Sequence, residues 1–259
     1  MNMTVLDARQ QIVADRVLDE EERQRAHLVV SLSGAHAYGF PSPDSDLDLK
    51  SIHIEPTRRL LGLMRSAASP SRLEIIDGVE VDYSSNEIHP VLLGVLQGNG
   101  NYIERILGPF PLRTAPELDA LKPLCLGALS RRVFRHYLGF ATSQRHAWEA
   151  SERASVKKLL YVLRTALTGA HALTTGTVVT DVTLLLDQYG FSSAHELIDI
   201  KRSGERSELP ENVRDRWAGE IGRAFTTLTE AHERSPLPEE PPNADALDEW
   251  LLTLRRARF

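Results

Sequence analysis

Two rhythms of apolar residues run along this chain, and they change near its midpoint. The first half alternates. The run His27-Leu28-Val29-Val30-Ser31-Leu32-Ser33 is short, β-rich and closed by Gly34, which predicts a strand ending in a glycine turn. Phe40 to Ser45 holds two prolines, two serines and an aspartate and reads as a loop. A second strand is predicted through Leu47-Asp48-Leu49-Lys50-Ser51-Ile52-His53-Ile54. Asp77-Gly78 then separates two apolar runs, a strong hairpin signal. Its second arm places Val79, Val81 and Tyr83 on one face and Glu80 and Asp82 on the other.

The second half follows helical spacing. Thr4 to Arg25 is already a charged helix candidate, with Leu6, Val13 and Val17 as its buried stripe. Ser84-Ser85-Asn86-Glu87 has the form of a capping box opening a helix to about Leu96, and Thr114-Ala115-Pro116-Glu117 repeats the form for a helix towards Cys125. Further helices are expected over Ser130–Trp148, Ala154–Leu173, Asp181–Tyr189, Ser193–Lys201 and Glu211–Glu233, the fourth opening on the box Ser193-Ala194-His195-Glu196. Ser235 to Pro242 is a proline-rich connector, and Ala244 to Arg256 a final helix with acids early and arginines late. The pattern predicts an α+β protein with a small mixed-sheet domain over 1–110 and a helical domain over 111–259, with no internal repeat.

The candidate chemistry lies in the first half. Gly34 lets backbone approach a ligand closely and frees N–H groups for phosphate oxygens. Asp46 and Asp48 stand at i and i+2 and point to one face, with Leu47 and Leu49 on the other. Two adjacent carboxylates repel unless a cation lies between them, and hard oxygen ligands suit Mg²⁺ or Mn²⁺. Asp82 completes a third position if its strand neighbours theirs. In the second half Lys157, Tyr161 and Arg164 share one helix face, with Lys158 one position round, a stripe able to grip phosphates or equally an exposed amphipathic face.

Composition narrows the classes. The chain has 259 residues, 42% hydrophobic and 25% charged, which fits a globular protein with a sizeable core. No apolar run is long enough to span a bilayer, Met1 to Glu22 lacks a signal-peptide core, and the single Cys125 fits a reducing cytoplasm as a small buried hydrophobe. A net charge of −6 argues against a general nucleic-acid binder. Ser130 to Arg164 nevertheless carries eight cations (Arg131, Arg132, Arg135, Arg145, Arg153, Lys157, Lys158, Arg164) against Glu149 and Glu152, read either as solvated helix faces or as a surface for triphosphate or polynucleotide. The nine histidines are dispersed; His36 alone sits in the glycine turn. There is no Walker loop and no nucleophile elbow.

Gly34 to Leu49 resembles the motif of the nucleotidyltransferase superfamily typified by DNA polymerase beta, and within it the RNA-repair-associated branch. Ala37-Tyr38-Gly39 and Pro43-Asp44-Ser45-Asp46-Leu47-Asp48 match that branch's pattern. Pro56–Leu63, Lys157–Arg164 and Ile200–Glu205 are similar to its later segments, so the likeness runs from His27 to Glu205. One departure is Ala35, where the superfamily usually has a phosphate-binding serine; a backbone N–H, Ser33 or Ser45 is left to take that contact.

The resemblance implies an Mg²⁺- or Mn²⁺-dependent nucleotidyltransferase. Asp46, Asp48 and Asp82 would be its metal ligands and catalytic residues, with Asp82 also a candidate base. Gly34, Ala35, Ser45, Lys157, Lys158, Tyr161 and Arg164 would bind the nucleotide. The helical part would cover the triphosphate of ATP or another nucleoside triphosphate, and by family analogy the acceptor is an RNA 3′ end. Rival readings are AMP transfer to a protein or small molecule, a nucleotide-binding member without turnover that Ala35 would favour, and an Asp-x-Asp glycosyltransferase. The 45 residues before Asp46 are too few for the last one's nucleotide domain.

Overall fold

The structure is a computed structural model and describes residues 5–63, 69–151, 155–204 and 208–259. The alternating half forms a five-stranded sheet in the order β3-β4-β2-β1-β5, with β1 Ala26–Leu32, β2 Leu47–Ile54, β3 Ser71–Ile76, β4 Val79–Glu87 and β5 Pro111–Thr114. All neighbours are antiparallel except β2 and β4, which run parallel because the β3–β4 hairpin returns the chain beside β2. The hairpin turns at Asp77 and Gly78, both at positive φ (49° and 72°), as the Asp-Gly pair predicts.

One face of the sheet carries Leu47, Leu49, Val81 and Tyr83, all fully buried. Helix α1 (Ala8–Glu22) covers it, burying Val13, Val17 and Leu18 and anchoring through Arg72 on β3, which pairs with Glu20 at 2.8 Å. The opposite face carries Asp46, Asp48, Lys50 and Asp82. Alternation along β2 therefore sorts the core residues from the charged ones.

Short helices α2 (Gly34–Tyr38), α3 (Thr57–Leu61), α4 (Ile88–Leu96), α5 (Gly100–Leu107) and α6 (Glu117–Gly127) flank the sheet. The helical half contains α7 (Val133–Glu149), α8 (Val156–Thr175), α9 (Thr183–Leu186), α10 (His195–Arg202), α11 (Arg214–Glu233) and α12 (Ala244–Ala257). Helix α8 is central, packed by α7 and α11, and is buried almost all round from Val162 to Leu173. The last helix returns to the sheet half: Arg255 Nη1 donates to Glu55 O at 3.0 Å, and Arg258 pairs with Glu117.

Several expected boundaries move. The turn after Gly34 is a five-residue helix. Ser84 to Glu87 is not a capping box, because β4 continues to Glu87 in register with β2, and Glu87 itself caps α4 by accepting from His89 N–H at 2.7 Å. Thr114 ends β5 rather than capping α6, so the sheet reaches past residue 110. The Ser193 box makes no side-chain cap; a short 3-10 turn leads into α10 instead. Asp181 to Tyr189 contributes only the single turn of α9, and α5 was not anticipated. Cys125 is buried, and burial pushes its thiol up to about 12, as suits a small core hydrophobe. No helix among the described residues is long and apolar enough to cross a membrane.

Candidate active site

The site is built where β1 ends, α2 begins and β2 starts. Gly34 has φ +61°, and a Cβ there would fall 1.8 Å from Asp48 Oδ2. Only glycine allows both the left-handed backbone and this approach. Ser33 N–H donates to Asp48 O at 3.0 Å, which ties the turn to the start of β2. Gly39 closes α2 at φ +88°, where a Cβ would strike Asp181 Oδ1 at 2.0 Å.

The parallel register makes Asp48 and Asp82 direct partners. Asp46 lies two residues up the same face, so all three predicted carboxylates look to one side. Two lysines offset part of their charge. Lys50 Nζ lies 2.7 Å from Asp82 Oδ2 and 3.6 Å from Asp48 Oδ1, and Lys157 Nζ lies 4.0 Å from Asp46 Oδ2. The Asp48 carboxyl is pushed above its ordinary range by burial; Lys50 opposes this, while the charges of Asp82 and Asp46 add to it.

These residues can be tested against a divalent ion. Among the described residues no three His, Cys, Asp or Glu side chains are gathered closely enough to hold one by themselves. Mg²⁺ asks for less, usually one or two protein carboxylates with water and phosphate completing its shell. The side-by-side Asp46 and Asp48 fit that demand, whereas Asp82 is engaged by Lys50.

The predicted nucleotide contacts separate into two groups. Lys157 faces Asp46, and Tyr161 stands edge-on to Tyr38 and Phe40 with ring centroids 5.6 and 5.7 Å away. Lys158 instead turns to the end of α7, donating to Ala147 O at 3.0 Å and Ser151 Oγ at 2.7 Å. Arg164 is 1% exposed, paired with Glu104 and stacked over Tyr38 at 3.7 Å, so it is a core cation and not part of an exposed stripe. Ala35 is buried within α2. Ser45 is also buried, and its Oγ accepts from Ser42 N–H at 2.9 Å. His36 is buried against the Asp46 backbone, and burial lowers its pKa.

The basic stretch is largely neutralised within the chain. Arg131 pairs with Glu239 at 2.6 Å, Arg132 with Glu240, and Arg145 with Glu149 at 2.6 Å. The proline-rich connector thus covers two of the cations read as a polynucleotide surface. Arg153, Glu152 and Glu205 lie outside the described residues.

Other residues of the site went unread in the sequence. Lys50 carried a signal, since it continues the alternation of Asp46 and Asp48. Lys201 of α10 is fully buried and donates to Ser42 Oγ at 2.7 Å, pinning the loop before Asp46. Glu104 and Arg105 come from α5, whose start Gly98-Asn99-Gly100-Asn101 reads as a turn; Asn99 caps it, accepting from Asn101 N–H at 3.0 Å.

Comparison with known proteins decides the lineage. Residues 10–253 match the family RlaP, described as the RNA repair pathway DNA polymerase beta family. The chain belongs to this family. The match runs through the sheet, the three carboxylates and nearly all of the helical half. A relative, the uncharacterised protein MJ0002 of Methanocaldococcus jannaschii, is 25% identical over 218 residues, covering 83% of this chain and 88% of the relative. A crystal structure of a nucleotidyltransferase-like protein from Exiguobacterium sibiricum aligns with 97% of this chain and 81% of its own at 10% identity. Its TM-score is 0.34, too low to bear on the site.

Proposed function

We propose that this family member is a metal-dependent nucleotidyltransferase that moves a nucleoside monophosphate from a triphosphate to a hydroxyl acceptor, an RNA 3′ end, with release of pyrophosphate. The observation that carries the reading is the pairing of Asp48 with Asp82 across β2 and β4, with Asp46 on the same face and Gly34 against Asp48. Family membership supplies the nucleotide as substrate class.

A Mg²⁺ or Mn²⁺ ion bound by Asp46 and Asp48 would supply Lewis-acid stabilisation of the phosphates. Through such an ion Asp46 and Asp48 would hold the donor's phosphates near the Gly34 turn, where no side chain intervenes. Asp82 accepts the proton of the attacking hydroxyl; Lys50, 2.7 Å away, holds that carboxylate in place. The hydroxyl oxygen bonds to the α-phosphorus as the bond from that phosphorus to the bridging oxygen breaks, and pyrophosphate leaves with the electron pair. Lys157 lies on the Asp46 side, where negative charge accumulates on the leaving group.

The test uses α-labelled ATP, GTP, CTP and UTP in turn, with Mg²⁺ or Mn²⁺, against separate pools of RNA and protein. The reading expects label in RNA, lost in Asp46→Ala. Label confined to the protein pool would replace the acceptor, and no label in either pool would overturn the activity.

A further inference from the structure

Lys50 also lines a cavity of about 140 Å³, together with Ser31, Ser33, Asn101, Glu104 and Arg105. Register explains why these side chains meet. Ser31 of β1 is the direct partner of Lys50 on β2, so both face the same side of the sheet. Helix α5 lies over that face, held by Ser31 Oγ donating to Arg105 O at 2.9 Å.

Arg105 is the unusual member. Its Nη1 donates to Asn86 Oδ1 at 2.5 Å, and its guanidinium lies 5.4 Å from the Tyr102 ring. No carboxylate among the described residues forms an ion pair with it. Burial depresses its pKa, opposed by Tyr102, Tyr38 and the charges of Asp82 and Glu104. The adjoining acid is already taken: Glu104 Oε1 accepts from Tyr137 Oη at 3.0 Å, and Glu104 Oε2 pairs with Arg164. The charges of Asp82 and Glu104 act on this half-buried guanidinium, but neither is ion-paired with it, and a guanidinium free to bond an anion in a small polar cavity is the chemistry of an oxyanion pocket. The volume suits one phosphoryl group and is too small for a nucleoside.

We propose that this cavity is a phosphate-binding pocket in which Arg105 grips a phosphoryl group of the substrate other than the one that reacts. The pocket itself stands on the geometry around Arg105; which substrate supplies the group rests on the nucleotidyl-transfer reading. Two sources share the chemistry, the donor's terminal phosphate and a phosphate of the acceptor.

Binding is measured by calorimetry in EDTA, which removes any contribution from divalent ions. The full chain is titrated with inorganic pyrophosphate, ATP, and the dinucleotide ApA with and without a 5′-phosphate. Arg105→Gln is expected to weaken pyrophosphate binding by about tenfold or more, and Arg105→Lys by less. Asn101→Glu, on an exposed rim residue, is expected to do the same without altering the melting temperature. This second variant guards against misfolding of the first. Loss of ATP affinity alone assigns the donor; loss of the 5′-phosphate's advantage alone assigns the acceptor. Unchanged affinity for every probe in both Arg105→Gln and Asn101→Glu would overturn the pocket. Pyrophosphate bound through Arg105 by a protein that transfers no nucleotide would keep the pocket and remove the reaction.

Discussion

The ammonium of Lys50 lies 2.7 Å from Asp82 and 3.6 Å from Asp48, a fixed cation between carboxylates on two parallel strands. Lysine is thereby part of the acidic site. Its charge lets three acids share one sheet face before any ligand arrives, and it competes with a divalent ion for Asp82.

Removing that charge should strengthen metal binding. Lys50→Met leaves three carboxylates with less compensation. Mn²⁺ affinity, followed by electron paramagnetic resonance, should rise about tenfold, or about 1.4 kcal/mol, while nucleotide transfer falls because Asp82 loses its orientation. Weaker or unchanged Mn²⁺ binding would show that Lys50 does not occupy a cation position.

Gly34→Ala tests the close approach of the turn. The new methyl would overlap Asp48 Oδ2 at 1.8 Å, and the alanine backbone would be held at φ +61°. The backbone cost is about 1–2 kcal/mol, seen as a lower melting temperature. Displacement of Asp48 should reduce transfer by about a hundredfold, roughly 2.7 kcal/mol of barrier. Wild-type turnover in this variant would mean that Asp48 need not sit against the turn.

Asp48 also sets a pH dependence of stability. Its folded-state pKa is raised above the ordinary 3.8, chiefly by burial. The native state therefore binds this proton more tightly than the unfolded chain does. Stability from this group is full below pH 3.8 and is lost as pH rises through the higher folded value. Asp48→Asn should melt at higher temperature than wild type at pH 7, with the gap closing towards pH 4, although it abolishes transfer. A variant less stable than wild type at pH 7 would refute the assignment of Asp48 as a strained charge.

Arg164 and Glu104 form a different kind of pair, buried between α8 and α5, with Tyr38 under the guanidinium. Glu104→Gln leaves a buried cation uncompensated and should cost about 3–5 kcal/mol by denaturant unfolding. The double variant Glu104→Leu, Arg164→Met should recover part of that loss. Full wild-type stability in the single variant would return Arg164 to the substrate-facing role that its helical spacing predicts.

These positions show what was legible in the sequence. Alternation along β2 separated Asp46 and Asp48 from Leu47 and Leu49, and the Asp77-Gly78 turn defined the hairpin, because both signals are local. The partnership of Asp48 with Asp82 was not readable, since parallel pairing of β2 with β4 depends on where the hairpin docks. Spacing put Lys157, Tyr161 and Arg164 on one stripe of α8, but spacing does not say what the stripe meets. Near its start the helix faces the carboxylates and Lys157 reaches Asp46; two turns on it is enclosed, and Arg164 meets Glu104. Ser84 to Glu87 misled for a related reason. Seven paired positions along β2 outweighed a local cap, and the chain stayed extended.

The most direct test of the central claim is pyrophosphate release, followed by a coupled assay with Mn²⁺ and RNA in wild type and in Asp82→Asn. The swap is isosteric on a half-exposed side chain, so the melting temperature should hold. The account predicts steady release by wild type and a fall of about a hundredfold or more in the variant. Equal release by the two proteins would contradict it.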